Sequence, residues 1–122
     1  MKKSFKVLIA VIVVLAAAGA VWYLRAQGAV KFKTAYQAVL LTNGSVYYGK
    51  LEGLGGPFPV LRDVFYVQAA ADPNTKQTTN VLIRRGKEWH GPDYMVLNAS
   101  HILLVEPVNP GSRVAALIAE AQ

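Results

Sequence analysis

The sequence predicts a mainly β protein, in which an N-terminal transmembrane helix precedes a small five- to six-stranded barrel and a short C-terminal helix. Two observations carry this prediction. Residues 7–24 form an unbroken apolar run of 18 residues without a charge. From residue 36 onward, short apolar segments alternate with Gly, Pro and Asn turn signals, a pattern typical of strands. Because this second part is short, closing the sheet into a barrel is the expected way to remove exposed strand edges.

The apolar run is long enough to act as a membrane anchor. At 1.5 Å per residue it gives about 27 Å of helix, close to the roughly 30 Å hydrocarbon core of a bilayer. Basic residues flank it on both sides, and an aromatic pair at its end suits a membrane-water interface. The residues expected to contact membrane lipid at the two interfaces are Lys2, Lys3, Lys6, Trp22, Tyr23 and Arg25.

A cleavable signal peptide is the alternative interpretation of this segment. Residues 16–20 are small side chains that suit a signal peptidase, and they follow a short basic head. Residues 21–24 continue the apolar helix past that site, which favours a retained anchor. A basic head before a single anchor also favours a cytoplasmic N terminus and an extracytoplasmic C-terminal domain. A chain without cysteine is compatible with that compartment.

The net charge of +6 is unevenly distributed. Six of the thirteen basic residues lie within the first 33 residues, where there is no acidic residue, and the remaining seven are balanced by seven acidic residues. The basicity therefore belongs to the flanks of the apolar run, where cations meet anionic headgroups. A neutral domain has little electrostatic attraction to phosphates, which argues against nucleic acid as a partner.

The strand segments follow one another with recognisable turns. They are expected over residues 36–42, 45–52, 60–68, 80–84, 94–97 and 101–106. Asn43 and Gly44 join the first two strands as a hairpin, because both residues tolerate positive φ. Residues 53–59 are rich in Gly and Pro and predict a loop, and residues 69–79 predict another.

Alternation along the third strand predicts which side chains it buries. Because successive side chains point to opposite faces, Leu61, Phe65 and Val67 are expected to share one face. Asp63 lies on that face as a polar exception.

The chain is expected to end in a short amphipathic helix. Pro107 and Pro110 stop the last strand, and Ser112 is expected to cap a helix over residues 113–121. The apolar face of this helix consists of Val114, Leu117, Ile118 and Ala121.

These boundaries divide the chain into five segments. They are a basic head at 1–6, a transmembrane signal-anchor helix at 7–24, a basic juxtamembrane linker at 25–35, a small β-barrel domain at 36–107 with an insertion at 69–93, and a short helix at 108–122.

Residues 39–51 combine an apolar strand, an Asn-Gly turn and a Gly-x-Leu, and they precede a third strand that carries Asp, residues 62–66. This order resembles the first motif of the Sm-like fold, one of the SH3-like small barrels, in which the third strand is bent. Residues 95–105 are similar to its second motif, two strands joined by a tight turn. The whole chain also resembles uncharacterised bacterial single-pass membrane proteins with a Gly-x-Glu-x-His-Gly-Pro-type segment, which implies the bacterial cytoplasmic (inner) membrane.

The chain departs from the Sm-like pattern where RNA-binding members hold a base. Those members have an Asn after the third-strand core residues and an Arg-Gly in the final turn, whereas this chain has Val67 and Asn98-Ala99 near those places. The resemblance therefore implies the fold and a tendency to assemble edge to edge. It does not imply RNA binding.

Polar and aromatic residues cluster in one segment, residues 84–93. Its candidates for contact with a ligand or partner are Arg84, Arg85, Trp89, His90 and Asp93. Two metal-ligating side chains fall short of the three or four that a metal site usually needs. The simpler interpretation is that Trp89 closes one end of a small core, while His90 and Asp93 hydrogen-bond the turn at Gly91-Pro92.

The sequence predicts a non-enzymatic protein that needs no cofactor. It contains no cysteine nucleophile, no Gly-x-Ser-x-Gly elbow and no phosphate-binding loop. The favoured hypothesis is a membrane-anchored interaction module that binds itself or a protein of a membrane complex. The alternative is a domain that binds a small ligand, a metal or an oligonucleotide through the segment around Trp89 and His90.

Overall fold

The computed structural model describes residues 2–28 and 30–122. The chain forms two compact units, of which one ends at Val30 and the other spans Lys31–Gln122. The first unit is a helix and the second is the β domain.

Helix α1 covers Lys2–Gly28, so it includes the predicted apolar run and extends beyond both of its ends. The side chains of residues 2–25 are all exposed. The segment Lys2–Arg25 is long and apolar enough to cross a membrane, a property that it shares with signal sequences. The N-terminal apolar helix predicted from the sequence is confirmed.

The β domain contains one antiparallel sheet and a short helix. Its elements are β1 (Gln37–Leu41), β2 (Val46–Glu52), β3 (Val60–Ala71), β4 (Thr78–Arg84), β5 (Tyr94–Val96), a 3₁₀ turn (Ala99–His101), β6 (Ile102–Pro107) and α2 (Arg113–Ala121). The strand order is β4-β3-β2-β1-β6, and β5 pairs with β3. A six-stranded antiparallel sheet is confirmed. The hydrogen-bonded ladders leave the sheet open, with β6 as one edge, where the sequence predicts a closed barrel.

The β1–β2 hairpin forms at the predicted Asn-Gly pair, but its loop is longer than two residues. The last ladder pair is Leu40 with Val46. Gly44 alone of the pair takes a positive φ, of 88°. The Asn43 side chain instead accepts a hydrogen bond of 3.0 Å from the backbone N–H of Ser45. A single left-handed residue is therefore enough for this turn.

A bulge in β3 changes the predicted burial pattern. Asp63 takes a φ of 50°, and the register between β2 and β3 shifts at this point, so that Asp63 and Val64 together lie opposite Gly49. A Cβ on Gly49 would lie 2.7 Å from the carbonyl oxygen of Arg62, which is why only glycine fits here. After the bulge Val64 and Phe65 are both buried while Val67 is exposed, so the prediction that Val67 shares the face of Leu61 is wrong. A left-handed residue breaks the period of two on which that prediction rested.

The predicted loop at residues 69–79 is shorter in the structure, because both of its ends belong to a hairpin of β3 and β4. Strand β3 continues to Ala71 and pairs residue by residue with β4, from Phe65↔Arg84 to Ala71↔Thr78. Only residues 72–77 form the turn. The strand residues on either side of this turn have exposed side chains, so hydrophobic alternation could not mark them as strand.

Five residues, 97–101, connect β5 to β6 at the far end of the strand order. Three of them form the 3₁₀ turn, which advances only about 2 Å per residue. Asn98 caps this turn by accepting a hydrogen bond from the backbone N–H of Ser100. The connection therefore links a strand paired with β3 to a strand paired with β1.

The inner face of the sheet holds the main core. Its buried members are Val39, Leu61, Val64 and Leu97, and the partly buried residues packed against them are Leu41, Tyr47, Leu51, Met95, Ile102 and Val105. These residues lie in five of the six strands, with Leu97 directly after β5. The inner face of the sheet thus buries apolar side chains from β1, β3 and the end of β5.

Helix α2 covers part of the outer face. Ser112 caps it as predicted, with its Oγ accepting a 3.1 Å hydrogen bond from the N–H of Ala115. Ile118 is buried, whereas Ala121, predicted for the same face, is exposed. The terminal Gln122 donates a 2.9 Å hydrogen bond to the hydroxyl of Tyr36, which ties the end of α2 to the start of the domain.

Candidate functional site

Asp63 brings two cations together at the bulge in β3. Lys50 Nζ lies 3.1 Å from its Oδ2, and Arg84 Nη2 lies 3.5 Å from its Oδ1. The hydrogen bond to Asp63 raises the pKa of Lys50. Because two cations share one carboxylate, this cluster keeps a net positive charge. All three side chains are partly exposed, so the ion pairs position the cations more than they stabilise the fold.

Both cations also lie over aromatic rings. Lys50 Nζ is 5.5 Å from the ring centroid of Tyr36, and the guanidinium carbon of Arg84 is 5.8 Å from that of Phe65. The two rings meet edge to face with centroids 6.2 Å apart. Arg84, at the end of β4, therefore lies on the same side of the domain as Tyr36, which directly precedes β1.

A polar pocket of about 320 Å³ lies beside this cluster. It is lined by Asp63, Val64, Arg84, Arg85, Gly86, Pro92, Asp93, Tyr94 and Met95. Three of the predicted site residues, Arg84, Arg85 and Asp93, thus contribute to one cavity. Two guanidinium groups and two carboxylates suit a small ligand that itself carries both charges.

Glu88 holds the turn that follows β4. Its carboxylate accepts hydrogen bonds from the backbone N–H of Gly86 at 2.8 Å and from Arg85 Nε at 3.1 Å. The bond from Gly86, assisted by Arg85, lowers the pKa of Glu88 below its ordinary value of 4.5. The Glu88 carbonyl in turn accepts a 2.8 Å bond from the N–H of Gly91. This set of bonds fixes residues 85–91, the Trp89 turn.

Trp89 projects from this turn and buries none of its side chain. Its relative exposure is 108%, the largest among the exposed hydrophobic residues of the described chain. The interpretation that Trp89 closes the core is therefore wrong. The core cluster on the inner face forms without Trp89. The hydrogen bonds of Glu88 hold the turn from which the indole projects.

His90 and Asp93 are exposed as well. Across residues 2–28 and 30–122, neither side chain forms a hydrogen bond or ion pair, so the predicted bonds to the Gly91-Pro92 turn are wrong. Within the same described ranges, no group of three or more His, Cys, Asp or Glu side chains is arranged to hold a metal ion.

An apolar groove lies on the outer face of the sheet, along its edge strand β6. We call it the outer groove; its apolar lining is Ala38, Leu40, Val46, Tyr48, Leu104, Pro107, Val108 and Val114. Its volume is about 380 Å³. Leu104 is 40% exposed and Val46 is 37% exposed, so these side chains lack the cover that the inner face has. The groove thus combines exposed apolar surface with a strand whose outer hydrogen-bonding edge is unpaired in the described sheet.

The residues expected at membrane interfaces lie near the two ends of α1. Lys2, Lys3 and Lys6 lie in its first two turns, and Trp22, Tyr23 and Arg25 lie near its other end. Lys2 and Trp22 are twenty positions apart, which corresponds to about 30 Å of helix. This spacing matches the thickness of a hydrocarbon core.

Sequence reasoning missed the outer groove and the role of Asp63. The groove is assembled from three strands and α2, so no local pattern marks it. Asp63 did leave a signal in the sequence, because it is a charged residue inside an apolar strand. Such a position is compatible with a bulge, which re-aims a side chain.

No protein-family model matches the sequence, and a search of curated proteins finds no match.

Proposed function

We propose that this chain is a membrane-anchored, non-enzymatic interaction module, in which α1 spans the bilayer and the β domain binds copies of itself or a protein of the same membrane. The observation that carries the proposal is the outer groove beside the free edge of β6. An edge strand offers unpaired backbone groups, and an adjacent apolar groove offers pockets for side chains. Together they form a surface that an added strand or helix can cover.

The strand order of the sheet supports a barrel-type domain of the Sm-like or SH3-like kind. Strand β5 is joined to β6 through one short 3₁₀ turn. The resemblance implies a bent third strand that carries Asp, and β3 has a bulge at Asp63. The departures at Val67 and Ala99 lead us to propose protein rather than RNA as the partner.

The length of α1 and the charges at its ends support the anchor. We further propose that the N terminus lies in the cytoplasm of a bacterium and that the domain lies outside its inner membrane. A reporter fused after Gln122 is expected to be active only outside the cytoplasm. Activity confined to the cytoplasm would reverse the orientation.

The interaction surface can be tested with two matched lysine substitutions. Leu104→Lys places a charge in the outer groove, and Val81→Lys places one on β4, where the side chain is similarly exposed. The full chain is crosslinked in membranes, extracted in mild detergent and sized. We expect a discrete assembly for the wild type and for Val81→Lys, and its loss for Leu104→Lys. A wild-type chain that remains monomeric and uncrosslinked would contradict the proposal.

A small-ligand function is the second candidate, and the pocket beside Asp63 favours it. Arg84 and Arg85 would hold an anionic group and Asp93 a cationic one. A panel of charged metabolites screened by thermal shift is expected to stabilise the wild type more than Arg84→Gln if this function is correct. Equal shifts for both proteins would place the ligand elsewhere.

A further inference from the structure

The indole of Trp89 is fully exposed on the surface of the domain. A tryptophan side chain offers roughly 150–250 Å² of largely apolar surface, and leaving it in water forgoes the largest apolar burial that any side chain can contribute. The polar pocket does not include Trp89 in its lining, and the outer groove is lined by other elements. Neither of the surfaces described above therefore accounts for its position.

The turn presents Trp89 in a fixed orientation. Glu88 binds the Gly86 N–H and Arg85 Nε through its carboxylate and the Gly91 N–H through its carbonyl. The N–H of Arg85 also donates a 2.8 Å hydrogen bond to the carbonyl of Val64 in β3, which ties the turn to the sheet. A side chain held in this way loses little conformational freedom when it binds.

The turn leaves the sheet on the side at which the domain begins. It directly follows Arg84, whose guanidinium contacts the Phe65 ring, and that ring packs against Tyr36. Eight positions separate Gly28 of α1 from Tyr36, a length of chain that reaches at most about 28 Å. A bilayer spanned by α1 is therefore within reach of this side of the domain.

The chemistry of the turn suits a lipid surface. Tryptophan favours the headgroup region of a bilayer, where its apolar ring and its N–H are both satisfied. Lys87, two positions before Trp89, is exposed and is not paired with an acid among the described residues. Lys31 and Lys33 lie in the stretch that leads into the domain, with no acidic residue between them and Tyr36.

The geometry points to membrane docking of the β domain: Trp89 inserts into the headgroup region of the bilayer that α1 spans, and Lys87 lies against anionic phospholipid. This inference rests on the proposed anchor but not on the proposed protein partner. It assigns the Trp89 turn to the membrane and leaves the outer groove free for protein contacts.

The test uses the full chain in vesicles of phosphatidylcholine with and without phosphatidylglycerol. Trp22→Phe leaves Trp89 as the single tryptophan, since the chain has two. The control carries Trp22→Phe, Trp89→Phe and Thr75→Trp, which moves the reporter to the exposed β3–β4 turn. Emission wavelength, iodide quenching and quenching by brominated lipid are measured for both proteins.

We expect Trp89 to emit at shorter wavelength than the Thr75→Trp reporter, to be quenched severalfold less by iodide and to be quenched by brominated lipid. The effect should grow with phosphatidylglycerol and weaken in Lys87→Gln more than in Lys76→Gln. Equal iodide quenching of the two reporters would overturn the inference. A blue shift without quenching by brominated lipid would also overturn it, because it would mean burial against protein.

A separate outcome identifies failure of the anchor itself. If the chain is released from the vesicles by alkaline carbonate, α1 does not span the bilayer, and both the proposed anchor and the docking of Trp89 fail. If the chain is retained while Trp89 stays open to iodide, only the docking fails.

Discussion

The inner face of the sheet and the outer groove are built from the same kinds of side chain but differ in how well those side chains are covered. Val39 and Leu61 on the inner face are 0% exposed, whereas Leu104 in the groove is 40% exposed. Burial of apolar surface is the main favourable contribution to folding. The inner face therefore contributes more to the stability of the domain than the outer groove, whose apolar side chains stay partly exposed.

The sharpest test of the inner face is Leu61→Ala. Removing a fully buried leucine is expected to lower the free energy of unfolding by about 2–5 kcal/mol, because a cavity remains in the core. Urea unfolding of the full chain in detergent, followed by circular dichroism, measures the loss. Leu103→Ala, at a side chain that is 64% exposed, is the control and should change little. Equal losses in the two variants would remove the distinction between the faces.

The close packing at the bulge predicts the next largest effect. In Gly49→Ala the new Cβ meets backbone and the Leu61 side chain, so a loss of about 1–3 kcal/mol is expected on overpacking. Gly111→Ala is the matched control, because a Cβ there has no neighbour within 4 Å. The same unfolding measurement applies. A neutral Gly49→Ala would mean that β2 and β3 are not held as closely as the bulge requires.

The helix on the outer face offers an intermediate case. Ser112→Ala removes the cap of α2 and is expected to lower the free energy of unfolding by about 1 kcal/mol. Ser112→Asp keeps a side-chain acceptor and should restore most of the stability. If both variants unfold like the wild type, α2 is not part of the cooperative unit that the inner face stabilises.

A substitution in the outer groove is expected to change assembly and leave stability nearly unchanged, whereas a core substitution changes stability. Leu104→Lys changes an exposed side chain, so the free energy of unfolding should stay within about 0.5 kcal/mol of wild type. Its effect on assembly should instead be complete, as described above. A large loss of stability would show that Leu104 belongs to the folding core, and the loss of assembly would then carry no information about a docking surface.

The smallest effect is expected at the Trp89 turn, which belongs to neither face. The N–H of Gly86 lowers the pKa of Glu88, so the unfolded chain holds the proton more tightly than the folded chain. The stabilisation is therefore present above pH 4.5 and is lost as the pH falls through the lower folded value. The protection factor of the Gly86 amide, which is its exchange rate corrected for the intrinsic rate at each pH, should fall in that range for the wild type. In Glu88→Gln the protection of this amide should depend less on pH. Identical pH profiles for the two proteins would contradict the hydrogen bond from Gly86 to the Glu88 carboxylate.

The elements that the sequence predicted correctly are those determined by near neighbours. The hairpin at Gly44 and the helix capped by Ser112 each depend on a few adjacent residues, which a pattern can reveal. The exposure of Val67 and the close approach at Gly49 depend on how β2 pairs with β3. Local alternation cannot contain that information, because one left-handed residue at Asp63 reverses the faces that follow it.

The candidate site also combines features that depend on near neighbours with features that depend on the topology. Composition located the segment that contains Arg84, Arg85 and Trp89, but it could not tell that the two arginines line a pocket while Trp89 points outward. The outer groove left no signal at all, since it combines β1, β2, β6 and α2 across nearly eighty positions of chain. Surfaces built from distant segments emerge only once the topology is known.

The proposed membrane-anchored assembly is tested most directly by mild detergent extraction of the native protein. The intact mass of the chain and of every component that co-migrates with it is then measured. We expect a chain that retains residues 1–25, in a defined assembly that the Leu104→Lys variant no longer forms. A solitary chain that begins near Val21 would contradict it, because the anchor would then be a cleaved signal and the domain an exported monomer.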